Sequence, residues 1–165
     1  MGFRLLFLAG MGILAACGYQ VLDPGLGGGR TLWIPTSTND SRWRGVEADL
    51  THELRDSLRT QLDIRLDHEN PDLILRTKLL KIQRGSAISG RGGTVLAGRA
   101  TLQIEWDLEN ARGESLAGGT TSRALEFSPQ DGETAYFAFD DLIRDMAEQI
   151  ALETGVALRP VIATP

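Results

Sequence analysis

An α+β domain, a small and mostly antiparallel sheet with two amphipathic helices packed on one face, is the fold class this sequence predicts. Three observations predict it. Residues 100–108 alternate strictly, with Ala100, Leu102, Ile104, Trp106 and Leu108 on one side and Thr101, Gln103, Glu105 and Asp107 on the other, as a strand with one buried and one wet face does. Val46, Leu50, Leu54, Leu58 and Leu62 recur at every fourth residue, and Phe139, Leu142, Ile143, Met146, Ala147 and Ile150 form a second stripe of helical period. Each helix therefore buries one side only. The order strand, helix, strands, helix gives both stripes a sheet to pack on.

The first segment precedes the domain. Arg4 leads into an apolar run from Leu5 to Leu14, long enough for a secretory signal and shorter than the ~20 residues of a bilayer span. Leu14-Ala15-Ala16-Cys17 resembles the lipobox of bacterial lipoproteins. That resemblance implies a signal peptide over residues 1–16, cleavage before Cys17, and acylation of Cys17. It is the one cysteine in the chain, so no internal disulfide competes for it. Gly18 rather than Asp follows, which in that class implies the outer membrane. Removing sixteen of the 165 residues, with Arg4 the only charge among them, leaves 149 residues at a formal charge of −6. One domain is expected, and an acidic one does not suit general nucleic-acid binding.

Residues 17–29 hold the lipidated cysteine and a glycine-rich lead-in. The domain is expected over 30–156. Arg30 to Pro35 reads as a short first strand, Thr31-Leu32-Trp33-Ile34 being rich in strand formers, Thr36–Ser41 as a polar link, and 46–62 as the first helix. After a turn at Asp67–Pro71, a strand over 72–84 is expected, with a blurred parity at Leu79-Leu80 that permits a bulge. Residues 85–98, five of them glycine, read as a flexible connection to strand 100–108. Asn110–Gly113 is a turn, and Ser115–Phe127 the hairpin partner, weakened by Gly118-Gly119. Ser128-Pro129 with Asp131 looks like a capped helix start that Gly132 moves toward Thr134. Gly155 is expected to end that helix, leaving 157–165 as a loose tail.

The sequence offers no catalytic constellation. His52-Glu53 opens like a metalloprotease helix motif, but Asp56 stands where its second histidine belongs. His52 and His68 are the only histidines, too few for zinc once Cys17 is acylated. No Gly-x-Ser-x-Gly elbow is present. Glu47/Asp49 and Asp140/Asp141 read as solvated helix faces, and the glycines of 85–98 lack a Gly-Lys-Ser/Thr ending. No enzyme, cofactor or metal is therefore expected. One charge pattern stands out: Lys78, Lys81, Arg84, Arg91 and Arg99 occur with no acid between Asp72 and Glu105. Guanidinium and ammonium groups in such a stretch suit phosphate contact, and a solvated strand end is the plainer alternative.

Cys17-Gly18-Tyr19, the strand before Pro35, the helix carrying Leu50-Thr51-His52-Glu53-Leu54-Arg55, Asn70-Pro71-Asp72-Leu73-Ile74-Leu75 entering a strand, strand 100–108 and the closing helix together resemble the lipopolysaccharide-assembly lipoprotein LptE family. The resemblance implies a non-enzymatic plug within the β-barrel LptD of the outer membrane, held there by its lipid on the periplasmic side. It further implies lipopolysaccharide contact at the basic positions Lys81, Arg84, Arg91 and Arg99. The alternative is another outer-membrane lipoprotein of similar layout, such as a regulator of a cell-wall synthase or a secretion accessory. A lead-in of about a dozen residues, at ~3.3–3.6 Å each, keeps the domain near its membrane.

Overall fold

The computed structural model describes residues 27–162. The signal segment, Cys17 and most of the lead-in lie outside the described residues. Six strands form one mixed sheet in the order β3-β1-β4-β5-β6, with β2 joined to β4. They are β1 (Thr31–Trp33), β2 (Thr38–Asn39), β3 (Arg65–Leu66), β4 (Leu73–Ser89), β5 (Val95–Asn110) and β6 (Ser115–Phe127). Helices α1 (Val46–Gln61) and α2 (Ala135–Ile162) complete the domain. The expected antiparallel arrangement holds for the three long strands, β4-β5-β6. The three short strands add parallel pairings: β1 with β3 and β4, and β2 with β4. β2 falls in the segment expected to be a polar link, and β3 in the unassigned stretch just before the Asp67–Pro71 turn; both are two residues long, and each is held by a neighbouring strand.

The core fills the space between the sheet and the helices. All five predicted residues of β5, Ala100 to Leu108, are buried, as are Leu50, Leu54 and Leu58 of α1 and Phe139, Met146 and Ile150 of α2. In β4, Leu73, Leu75, Thr77 and Leu79 face inward; the register then shifts between Leu79 and Lys81, and Ile82 takes up the inward direction. Leu80 is thus the bulge that the blurred parity allowed, and one extra residue flips every side chain beyond it. A buried hydroxyl network joins the layers. The Ser37 N–H donates to Thr51 Oγ1 (2.9 Å), and the Ser37 and Thr77 hydroxyls are 2.6 Å apart.

Three expectations are corrected. Residues 85–98 are not a flexible connection, because β4 continues to Ser89 and β5 begins at Val95, leaving Gly90–Thr94 as the turn. Gly92 and Gly93 supply its positive φ angles (75° and 79°), and the Gly90 N–H closes it on the Thr94 carbonyl at 2.7 Å. Gly98 weakens no strand, since the Phe127 ring lies across it where a Cβ would overlap. Secondly, α2 passes through Gly155 to Ile162, so 157–162 is helical rather than a loose tail and the folded unit extends past 156. Ala151, Thr154, Gly155 and Leu158 are buried there, and this packing outweighs the ~1 kcal/mol helical cost of a glycine. Thirdly, Pro129–Asp131 forms a separate 3-10 turn ended by Gly132 at φ 82°. The closing acid is Glu133, whose Oε2 accepts from the Ser128 N–H at 2.6 Å, rather than Asp131.

Candidate functional site

β6 stops at Phe127, opposite Gly98. Beyond that point β4 and β5 continue alone as a two-stranded ribbon that ends at Gly90–Thr94. With no third strand or helix over it among the described residues, the ribbon leaves apolar residues exposed: Ile88 is 56% exposed, and Val95 and Leu96 are partly so. Arg91 sits in the turn itself, fully on the surface.

The basic residues singled out from the sequence follow the strand register, and it distributes them. Arg84 lies opposite Ala100, on the helix side of the sheet; Arg99 lies opposite Gly85, on the open side. These two flank the base of the ribbon, around a shallow 340 Å³ depression that also touches Gln83, Ser86 and Thr101. Lys81 pairs with Gln103, four rungs from the Gly85–Arg99 pair, or about 13 Å at the strand rise. Arg91 is six residues farther out. The expected cluster is therefore a string along the ribbon, with Arg84 and Arg99 together and Lys81 apart.

Their partners differ too. Arg99 reaches Glu126 at 2.5 Å. The Arg84 guanidinium carbon stands 5.6 Å from the Trp43 ring centroid, and Trp43 meets Phe139 and Tyr136 edge-on at 5.1 and 6.0 Å. Lys81, Arg84 and Arg91 form no ion pair among the described residues. Lys78 does, binding Asp40 at 2.7 Å. Its ammonium pKa is raised, first by that hydrogen bond and then by the Asp40 charge.

Sequence reasoning missed the aromatic part of this end. Tyr136 and Phe137 lie in the first turn of α2 at 66% and 64% exposure, and Tyr136 meets Trp43. The signal was an aromatic pair off the apolar stripe of a helix. Exposed aromatics with adjacent arginines form a surface that is apolar in body and cationic at its edge.

A larger depression of 620 Å³ lies between the β1–β2 link and the open face, bordered by Thr36, Thr38, Arg76, Lys78, Glu105 and Asp107. Its two bases are paired, Arg76 with Glu109 and Lys78 with Asp40, so the depression offers no free cation to an anionic ligand. His52 pairs with Asp56 on the surface of α1 at 3.4 Å. Among the described residues no group of His, Cys, Asp and Glu converges as a metal site. No helix among them is long and apolar enough to cross a membrane.

The chain enters at the other end. Gly29 donates to the Asp63 carbonyl at 3.0 Å, just before β1, and β1 runs parallel to the start of β4. From Leu73 to Ser89, β4 spans roughly 50 Å at the strand rise. The ribbon and the N-terminal lead-in therefore occupy opposite ends of the sheet.

The fold is a sheet with a helical layer on one face and an apolar, cationic ribbon at one end. Solved structures share the fold. A Xanthomonas campestris protein of family DUF330 superposes with a TM-score of 0.67 at 13% identity, over 82% of this chain and 89% of that one. A minor lipoprotein from Acinetobacter baumannii gives 0.54 at 14% identity, over 78% and 94%. PelC from Paraburkholderia phytofirmans, a dodecamer, gives 0.54 at 13% identity, over 76% and 91%. No curated protein matches the chain by sequence. A family model described as LptE, lipopolysaccharide-assembly, matches residues 29–153. The chain belongs to the LptE lipopolysaccharide-assembly family.

Proposed function

We propose that this protein is an outer-membrane lipoprotein, anchored on the periplasmic side through acylated Cys17, that serves an LptD-type β-barrel as plug and assembly partner without catalysing a reaction. In that role it helps deliver lipopolysaccharide to the outer leaflet. Arg84, Arg91 and Arg99 contact the phosphates of lipopolysaccharide, with Lys81 farther along the same strand. The observation that carries this reading is the ribbon: apolar, cationic, free of acids, and projecting from the end opposite the lead-in. A phosphate-binding ribbon at the end opposite the entry of the chain suits a molecule placed between a membrane anchor and an amphiphile. The open sheet face, polar and with its bases Arg76, Lys78 and Arg99 paired, suits the polar interior of a large barrel. A second reading, another lipoprotein such as a cell-wall synthase regulator or a secretion accessory, is favoured by the minor lipoprotein of Acinetobacter baumannii that shares the fold.

The test is affinity purification of the tagged full-length protein from detergent-solubilised outer membranes. A large β-barrel protein in equal amount is the expected result. Recovery of a cell-wall synthase or secretion component with no barrel would overturn the first reading in favour of the second.

A further inference from the structure

Among the described residues the sheet has one long free edge. β3 and β1 close one side with strands of two and three residues, whereas β6 ends the other with thirteen. Which of its main-chain groups point outward follows from the register. The Asp40 N–H donates to the Leu79 carbonyl at 3.0 Å, so the main chain of Leu79 turns toward β2 and away from β5. Its opposite number, Ile104, must then turn toward β6, where it faces Thr121. Thr121 therefore bonds to β5, and Gly118, Thr120, Ser122, Ala124 and Glu126 direct their N–H and C=O groups off the edge.

Edges of this length are ordinarily blunted by proline, lysine, bulges or a covering element. β6 contains neither proline nor lysine, and its register is unbroken from Ala117 to Phe127. On the open face its side chains are small: Gly118, Thr120, Ser122 and Ala124. On the helix face, Arg123 reaches over to α2, within 2.9 Å of Gln149 and 3.6 Å of Asp145. Gln149 in turn bonds Glu153 one turn on. Asp145, already paired with Arg123, and Glu153 thus stand on the helix side of an edge whose outward main-chain groups have no partner among the described residues.

We propose that β6 receives an added strand, an extended segment of a partner polypeptide that carries a lysine or arginine on its helix-side face. Other occupants fit less well. The described start of the lead-in lies against Asp63 and enters β1, about 14 Å from β6 across three strand spacings. A second copy paired antiparallel through β6 would place both helical layers on one face, so the Asp145 and Glu153 stripes of the two chains would meet over the joint. A basic partner strand removes that repulsion. This inference does not depend on the partner being a barrel.

The experiment uses the full-length protein in its own cells, with a photoreactive amino acid placed at Thr120, Ser122 or Ala124 and, as a control, at Glu53 on the outer face of α1. Cross-links from the three edge positions to one partner segment, at alternate residues of that segment, are expected. Ser122→Pro removes an outward N–H that β5 does not use, a change that edge strands tolerate. It should reduce the edge cross-links, placed from Thr120, at least fivefold while far-UV circular dichroism stays unchanged. Ser122→Ala should leave them as they are. Cross-links to a second copy of this chain, no cross-link at the edge, or a yield unaffected by Ser122→Pro in a folded variant would each overturn the proposal. A barrel recovered by purification together with a silent edge would sink strand addition alone.

Discussion

Replacing Arg84, Arg91 and Arg99 together by serine separates stability from ligand contact, and the structure supplies both magnitudes. The Arg99–Glu126 pair is about half exposed on both sides, and pairs of that kind contribute ~0.2–1 kcal/mol. Arg84 over Trp43 adds about 0.5–1 kcal/mol as a cation–π contact. Arg91 forms no ion pair among the described residues. The triple variant should therefore lose less than ~2 kcal/mol, a fall in Tm of at most ~8 °C for a domain of this size. Phosphate contact is lost on a different scale. A charge-assisted bond is worth ~1.5–3 kcal/mol, and discounting to ~1 kcal/mol each for solvent exposure still leaves about 3 kcal/mol, more than 100-fold in Kd. The assay is equilibrium binding of fluorescent lipopolysaccharide to the purified protein at 0.15 and 0.5 M salt, with Tm measured in parallel. Affinity within threefold of the unsubstituted protein, in a variant that is folded, would refute phosphate recognition by the ribbon.

Two further outcomes follow from the core and from one carboxylate. Leu54→Ala, at a fully buried site between α1, α2 and the sheet, should cost about 3–4 kcal/mol; urea unfolding should show an unchanged m-value and a lowered midpoint, and a loss under 1 kcal/mol would contradict the packing. Asp72 accepts from the Thr31 N–H and hydroxyl, each at 2.9 Å. The N–H bond first and the hydroxyl second hold its pKa below the usual carboxylate value. A depressed folded pKa stabilises above the unfolded value of ~3.9 and is lost as pH falls through the folded one. Asp72→Ala should thus cost on the order of 1 kcal/mol at pH 7, with the difference closing in acid; a difference independent of pH would exclude this linkage.

Much of this architecture was legible because it is written in periodicity. The alternation of Ala100–Leu108 and the fourfold spacing of Val46–Leu62 report burial directly, and even the bulge left its trace at Leu79-Leu80. What escaped was decided by partners distant in sequence. Gly98 reads as a strand breaker until Phe127 is seen lying across it. Gly155 reads as a helix end until Ala151 and Leu158 are seen buried on either side of it. Two-residue strands such as Arg65–Leu66 have no pattern of their own. At the candidate site the charges were visible but their arrangement was not, since only the register shows Arg84 and Arg99 on opposite faces with Lys81 four rungs away. Trp43 and Tyr136 are adjacent only through the fold.

The distribution of charge gives the molecule an orientation. From Leu73 to Ile104 it carries six bases and no acid, while α1 and α2 together hold nine acids and four bases. A body so divided is an electric dipole, and near any polyanionic surface it experiences a torque as well as a force. It should turn ribbon first, with its helical layer away, over distances of a Debye length, about 8 Å at physiological salt. Alignment would then precede contact, and only the last few ångströms of approach would be left to shape.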